Sequence, residues 1–358
     1  MRDHAWKIGV VAQSHAVVEN LLDAIVDAGL DARLVGKVAK VGAEQSDHAF
    51  TPLSADGQSV FALDNNASGF VIGGTAWDFS NRARVGRRSL DLLVVDEAGQ
   101  FSLASTIASS VAAHNLLLLG DPQQLPQVSQ GTHPEPIDQS ALGWVSSGHD
   151  VLPPEFGYFL AESRRMHPLV AEPVSRLSYE GRLHSHPDAS TRKLSGVEPG
   201  LHVLPIEHVA NSTSSPEEAA VVVDIVRSMV GRSWTDATKE RHNEPLGETD
   251  IVVVTPYNAQ LSLVRQHLAD AGFDRVRVGT VDKFQGQEAA VAIVTLAASS
   301  PEDVPRGMSF LIMKNRLNVA ISRAKWAAYL LYSPALTDYL PSTPDAVAEL
   351  SAFLTLVR

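Results

Sequence analysis

The 358-residue chain contains no cysteine, which excludes disulfides, thiolate metal sites and cysteine nucleophiles and fits a cytosolic protein best. Aromatic residues make up 6% of it, so a platform of rings for stacking nucleobases is not evident. Positive charge is also scarce: 29 Lys and Arg stand against 41 Asp and Glu, a formal charge of -12. The field of the whole molecule therefore repels phosphate, and any contact with nucleic acid must come from a local positive lining. No uncharged apolar run approaches membrane-spanning length. The first apolar run is broken by Gln13, Ser14 and His15, unlike the core of a secretion signal. A soluble protein with no membrane partner is expected. No G-x-S-x-G elbow supports a hydrolase triad, and His184 and His186 lack further nearby ligands for a metal.

What is present is an alternation of short apolar strands with amphipathic helices. "IGVVA" (8–12) precedes a helical stripe of Val17, Leu21 and Ile25, with Val18 and Leu22 beside it and Gly29 as a stop. "FVIGG" (70–74), "LLVV" (92–95) and "NLLLLG" (115–120) follow as buried strands. Residues 122–158 are rich in Pro, Gly, Gln and Ser, and a second series begins after them. Ser215-Pro216-Glu217-Glu218 is a capping box that opens a helix through Val230, and the polar stretch 231–250 reads as a surface loop. "IVVVT" (251–255), a helix with Leu261, Val264 and Leu268 on one face, "RVRVG" (275–279), "AVAIVTL" (290–296) and "AAYLLY" (327–332) complete the series. With 44% hydrophobic residues this is an α/β chain with enough material for two doubly wound parallel-sheet domains, 1–157 and 158–358.

Chemistry concentrates at strand ends. "LLVVDEAGQ" (92–100) runs four apolar residues into Asp96 and Glu97, and "LLLLGDPQQLPQV" (116–128) ends the next strand in Gly120, Asp121 and Gln124. Carboxylates there can hold magnesium, or simply face water. Arg165 in "ESRRMHPLV" (162–170) has the planar, permanently charged group that suits a phosphate, with surface ion pairing of Arg164 and Arg165 as the alternative. "TPYNAQ" (255–260) places Pro256, Tyr257 and Asn258 where a helix begins, as a phosphate contact or a plain cap. In "VGTVDKFQGQEAAVAIVTL" (278–296), Gly286 either lets backbone approach a phosphate or makes an ordinary turn. In "NRLNVAISRAKWAAYLL" (315–331), a helix would place Arg316, Ala320 and Arg323 on one face, the alternative being a basic helix in salt bridges.

Together these strings, in this order, resemble the superfamily 1 helicases, in the branch of the RNA-surveillance helicases and their DNA-replication relatives. The resemblance covers nearly the whole chain and implies two tandem RecA-like domains, the first truncated at its N-terminus. It implies ATP and Mg2+ as cofactors and single-stranded DNA or RNA as partner. By resemblance Asp96 holds magnesium, Glu97 orients and deprotonates the attacking water, and Gln124 senses the γ-phosphate. Arg165 and Arg323 stabilise phosphoryl charge, Glu288 meets the ribose, and Asp282, Gln285 and Gly286 couple the nucleotide pocket to the strand groove. Thr280 belongs to the same string. "VVAQSHAVVENLLDAI" (10–25) resembles a strand-gripping motif with Ser14 and His15, and "IGGTAWDF" (72–79) a following one with Thr75 as a phosphate contact. Trp77 reads as a core residue, with base stacking as the alternative.

The family's phosphate cradle, G-x-x-x-x-G-K-[ST], is missing; "GKV" at Gly36–Val38 has no glycine at the required distance and no hydroxyl. Weak ATP binding by this chain is expected, with a fragment of a longer gene, a protein split over two chains and a degenerate ATPase as explanations. Rival functions are a non-hydrolysing nucleic-acid-binding or regulatory module, and a magnesium nuclease using Asp96, Glu97 and Asp121.

Overall fold

Residues 4–38, 48–54, 57–125, 133, 136–146, 148–284 and 286–358 are described in the computed structural model. Gln285 and the end of the "GDPQQLPQV" string lie outside them. The chain divides into two compact units, Met1–Pro122 with Pro126–His149, and Gln123–Leu125 with Asp150–Arg358. The division falls at 149/150, earlier than 157/158, because Asp150 binds Lys314 and Val151 joins the core of the second unit.

The first unit runs β1 (Lys7–Val11), α1 (His15–Asp27), β2 (Val35–Val38), β3 (Thr51–Leu53), α2 (Gly57–Asp64), β4 (Phe70–Gly74), α3 (Ala76–Ser80), β5 (Leu90–Val95), α4 (Leu103–Ser110), β6 (Ala113–Leu118) and α5 (Ala141–Ser146). Its strands form one parallel sheet in the order β3-β2-β4-β1-β5-β6. Alternate residues of β1 and β4 enter two separate cores: Val11 and Ile72 pack with Phe79, Leu90 and Leu93, while Val10 and Val71 pack with Val18 and Leu22 of α1. Both faces of the sheet are thus covered, which is why these strands read as unbroken apolar runs. Gly73 admits α1 closely, since a Cβ there would stand 2.6 Å from Val18 and 2.5 Å from Leu22.

The apolar run at β6 misleads. Among the described residues β6 is an edge strand, and Leu116 and Leu117 are 44% and 43% exposed. Trp77 is also not in the core: α3 turns it outward, at 82% exposure, while its neighbours Asp78 and Phe79 are buried.

The second unit contains β7 (Glu162–Ser163), α6 (Pro168–Ser178), β8 (His184–Ser185), β9 (Lys193–Leu194), β10 (Gly200–Pro205), α7 (Pro216–Met229), β11 (Ser233–Asp236), β12 (Arg241–Pro245), β13 (Ile251–Thr255), α8 (Asn258–Asp270), β14 (Arg277–Thr280), β15 (Ala289–Thr295), α9 (Met308–Ile312), α10 (Lys314–Ile321), β16 (Ala324–Tyr332) and α11 (Pro344–Val357). Its main sheet is parallel, ordered β10-β16-β15-β13-β14, and every residue of β13 and β15 is buried.

Two expectations fail here for physical reasons. The stretch 231–250 is a hairpin rather than a surface loop: β11 and β12 pair antiparallel with a bulge, β9 flanks β11, and Glu240 makes the left-handed turn at φ 56°. Trp234 anchors it, 2% exposed and edge-on to Trp326. One buried ring does the work of an apolar pattern, so composition concealed the strands. Second, Arg323 shares no helical face with Arg316. The helix α10 ends at Ile321, Ser322 caps it, and Ala324 already pairs with Ala289 in the sheet.

Candidate active site

In the first unit β5 delivers Asp96 to the carboxyl edge of the sheet, and its amide is held by the Val11 carbonyl at 2.9 Å. Glu97 follows in the left-handed conformation, φ 52°, and donates its amide to Asp96 Oδ1 at 3.0 Å. The turn is locked from the next strand. Ala98 N donates to Leu119 O at 2.8 Å, a Cβ on Gly120 would stand 2.9 Å from Gly99 N, and one on Gly99 would stand 2.4 Å from Asp121 O. Only glycine at both positions lets the two turns cross this closely. Burial raises the Asp96 pKa, opposed by the Glu97 amide. Gln13 Nε2 closes the edge by donating to Gln100 O at 3.2 Å.

Among the described residues no cluster of three or more His, Asp or Glu forms a metal site. His186 caps the turn that follows it, its ring accepting from Asp188 N. The Asp96 carboxylate is of the hard-oxygen type that would suit magnesium.

In the second unit, Gln124 is tied through its carbonyl to Asn315 Nδ2 at 2.7 Å, and Gln123 likewise to Asn318 at 2.8 Å. Arg165 and Glu288 meet: Arg165 Nε stands 3.6 Å from Glu288 Oε2, and Nη1 donates to Ser322 O at 3.3 Å. Glu288 also receives Lys325 Nζ at 2.8 Å. Its pKa lies below the usual value: burial pushes it up, but the Lys325 hydrogen bond and the charges of Lys325, Arg165 and Lys239 prevail. Arg323 is 1% exposed and donates to the carbonyls of Val319, Phe284 and Gln287 at 2.9, 3.2 and 3.1 Å. In this conformation it binds its own backbone, not solvent. Gly286 is exposed, with φ 73° and open space around its Cα.

The residues expected at the strand groove are mostly placed as caps. Ser14 Oγ accepts from Val17 N at 3.4 Å at the start of α1. His15 Nδ1 lies 3.1 Å from the buried Lys37, the lysine of "GKV", which pairs with Glu19 at 2.9 Å. Thr75 caps α3 and donates its hydroxyl to Asp78 at 2.8 Å. Pro256 and Tyr257 precede α8, Asn258 is its exposed first residue, and Thr280 ends β14. Tyr257 stacks on Phe310, over which Arg316 lies at 4.2 Å; Arg316 also approaches Asp282 at 3.9 Å.

The sequence model of the AAA_12 family, an AAA domain, matches residues 146–333. This chain belongs to that family. The matched segment of this AAA_12 chain carries Arg165, Glu288 and Arg323. A DNA replication ATP-dependent helicase/nuclease, JHS1, of Arabidopsis thaliana is 25% identical over 377 residues, covering 97% of this chain and 27% of its own length. The DNA polymerase alpha-associated DNA helicase A of Schizosaccharomyces pombe is 30% identical over 246 residues, 66% of this chain and 36% of the relative. The ATP-dependent helicase upf1 of the same yeast is 27% identical over 260 residues, 70% of this chain and 27% of the relative. The AAA_12 chain thus spans 27% to 36% of these relatives. Sequence reading passed over Lys325, although it lies two residues past Arg323, and had no signal at all for Asp236 or Arg192, which sit within the same ion network.

Proposed function

We propose that this chain is the motor core of an ATP-dependent superfamily 1 helicase, coupling ATP hydrolysis to movement along single-stranded DNA or RNA. The observation that carries this reading is the Asp96–Glu97 turn at the carboxyl end of a parallel strand, clamped by the Gly99–Gly120 crossing. Family membership and the helicase names of the relatives support it. Magnesium, when bound, neutralises phosphate charge; Asp96 would hold it. Glu97 orients the attacking water and takes its proton, and Gln124 reads the terminal phosphate. Arg165 supplies positive charge to the transferring phosphoryl group, and Arg323 would join it only by leaving the carbonyls of Val319, Phe284 and Gln287. Glu288 holds the ribose, and Gly286 lets main chain approach the nucleotide. Ser14, His15, Thr75, Pro256, Tyr257, Asn258 and Thr280 lie along the nucleic-acid strand.

The 358 residues contain no G-x-x-x-x-G-K-[ST] string, so ATP affinity weaker than about micromolar is expected of this chain. The test is to fuse a P-loop strand and helix ahead of Met1 and measure ATP hydrolysis with single-stranded DNA and RNA. Stimulated hydrolysis that falls by about 100-fold in Glu97→Gln is the expected result. A folded fusion that binds the strand but never hydrolyses ATP would overturn the motor reading in favour of a non-hydrolysing binding module.

A further inference from the structure

Five charged side chains of alternating sign form a nearly closed ring in the second unit. Arg165 Nε faces Glu288 at 3.6 Å; Glu288 accepts from Lys325 Nζ at 2.8 Å; the same Nζ donates to Asp236 Oδ2 at 3.1 Å; and Asp236 Oδ1 accepts from Arg192 Nε at 3.0 Å. Arg192 closes the ring by returning to its start. Its Nη1 donates to the carbonyl of Arg165 at 2.6 Å and its Nη2 to that of Arg164 at 3.1 Å. Arg165 is thus gripped twice, by its main chain from one end of the ring and by its side chain from the other.

The grips differ in strength. Arg192 and Asp236 are 3% and 1% exposed, and Thr238 Oγ1 adds a 2.6 Å hydrogen bond to the same Asp236 oxygen. Buried, hydrogen-bonded and charged, these links are the strong kind. The Arg165–Glu288 contact is not: 3.6 Å exceeds hydrogen-bond length, and Arg165 Nε is a buried donor without a hydrogen-bond partner. Three cations of the ring stand against two anions, and its longest link is the one between Arg165 and Glu288. An arriving anionic oxygen would compete for the Arg165 guanidinium with Glu288 at 3.6 Å and with the Ser322 carbonyl, which Nη1 reaches at 3.3 Å, the two longest contacts around the ring.

We infer that Asp236, brought in by the hairpin of β11 and β12, is the positioning residue that presents Arg165 to a phosphoryl oxygen of the nucleotide. The inference rests on the nucleotide reading above for the identity of the anion. Asp236 is the hub because, among the described residues, it joins Arg192, which fixes the main chain, to Lys325, which fixes Glu288. Positioning an arginine in advance lowers the reorganisation needed when charge develops on the phosphoryl group.

The experiment uses the chain as it exists. The Arg165 side-chain Nε–Hε resonance is identified by its loss in Arg165→Lys and then followed in wild type and in Asp236→Asn, with inorganic pyrophosphate as the titrant. In wild type a dispersed signal that moves with pyrophosphate is expected. In Asp236→Asn the signal collapses toward the free-arginine position and pyrophosphate binds about tenfold more weakly, while Asp236→Glu restores part of both. If Asp236→Asn does not fold, Thr238→Val, which deletes the hydroxyl bonded to Asp236, gives a smaller change in the same direction. An Arg165 signal and pyrophosphate affinity unchanged in whichever variant folds would overturn the inference. A signal that collapses in the variant but ignores pyrophosphate in wild type supports the ring and counts against the nucleotide reading instead.

Discussion

Glu218 Oε1 lies 3.2 Å from Nε2 of His208, and both side chains are wholly buried. The other carboxylate oxygen accepts the amides of Leu296 and Ala297 at 3.1 and 3.0 Å, so one side chain at the start of α7 anchors the turn that follows β15. Glu218→Ala leaves buried donors unpaired and should cost more than about 3 kcal/mol. Burial raises the Glu218 pKa against the opposing His208 and amide hydrogen bonds. A raised carboxyl pKa gives stability that is full below the unfolded pKa and is lost as pH rises through the folded one. Glu218→Gln, which does not titrate, should therefore gain on wild type between about pH 4 and about pH 8. Urea unfolding at both ends of that range decides it, and a Gln variant that loses ground with rising pH refutes it.

The crossing of the two turns predicts a sharp steric contrast. Gly120→Ala would put a methyl 2.8 Å from Ala98 N and should cost about 2 to 3 kcal/mol. Gly86→Ala meets nothing nearer than Ser89 at 3.4 Å and should stay within about 0.5 kcal/mol of wild type. Equal losses in denaturant titrations would show that the turns do not pack as described.

Asp96→Asn should separate function from stability. The Asp96 pKa is raised by burial, so the ionised carboxylate costs stability above its folded pKa and the neutral amide removes that cost. Melting temperature should rise in the variant, more at about pH 8 than at about pH 4, while magnesium-dependent nucleotide binding falls. A variant that melts lower at neutral pH contradicts the assignment of Asp96 as a desolvated acid.

Trp77 offers a direct reading of strand contact. Because it is 82% exposed, Trp77→Ala should leave the melting temperature nearly unchanged. If the ring stacks on a base, single-strand affinity falls by about 1 to 3 kcal/mol. Unaltered affinity for both DNA and RNA would remove Trp77 from the interface.

Local sequence was enough for the central parallel strands and for a few helix starts, but not for β2, β3 and β10 of the same sheets, whose runs are short or broken by glycine and proline. β13 coincides with "IVVVT" because a strand buried on both faces has to be apolar throughout. α7 starts at the Ser215 cap because side-chain and backbone chemistry there are contained within four residues. The strand end at β5 was equally legible, since a polar break after an apolar run marks where the strand stops.

Tertiary structure decided what depends on partners distant in sequence. "NLLLLG" looks like any buried strand, but its place at the sheet edge is a matter of order, which no local pattern encodes. The hairpin around Trp234 depends on a ring from β16, and the burial of Arg323 depends on carbonyls contributed by residues 284 and 287. The ring through Asp236 joins residues 165, 192, 236, 288 and 325. Sequence alone determined which residues could carry charge or form strands; only the folded chain, by bringing remote side chains within hydrogen-bond reach, determined which of those charges hold one another in place.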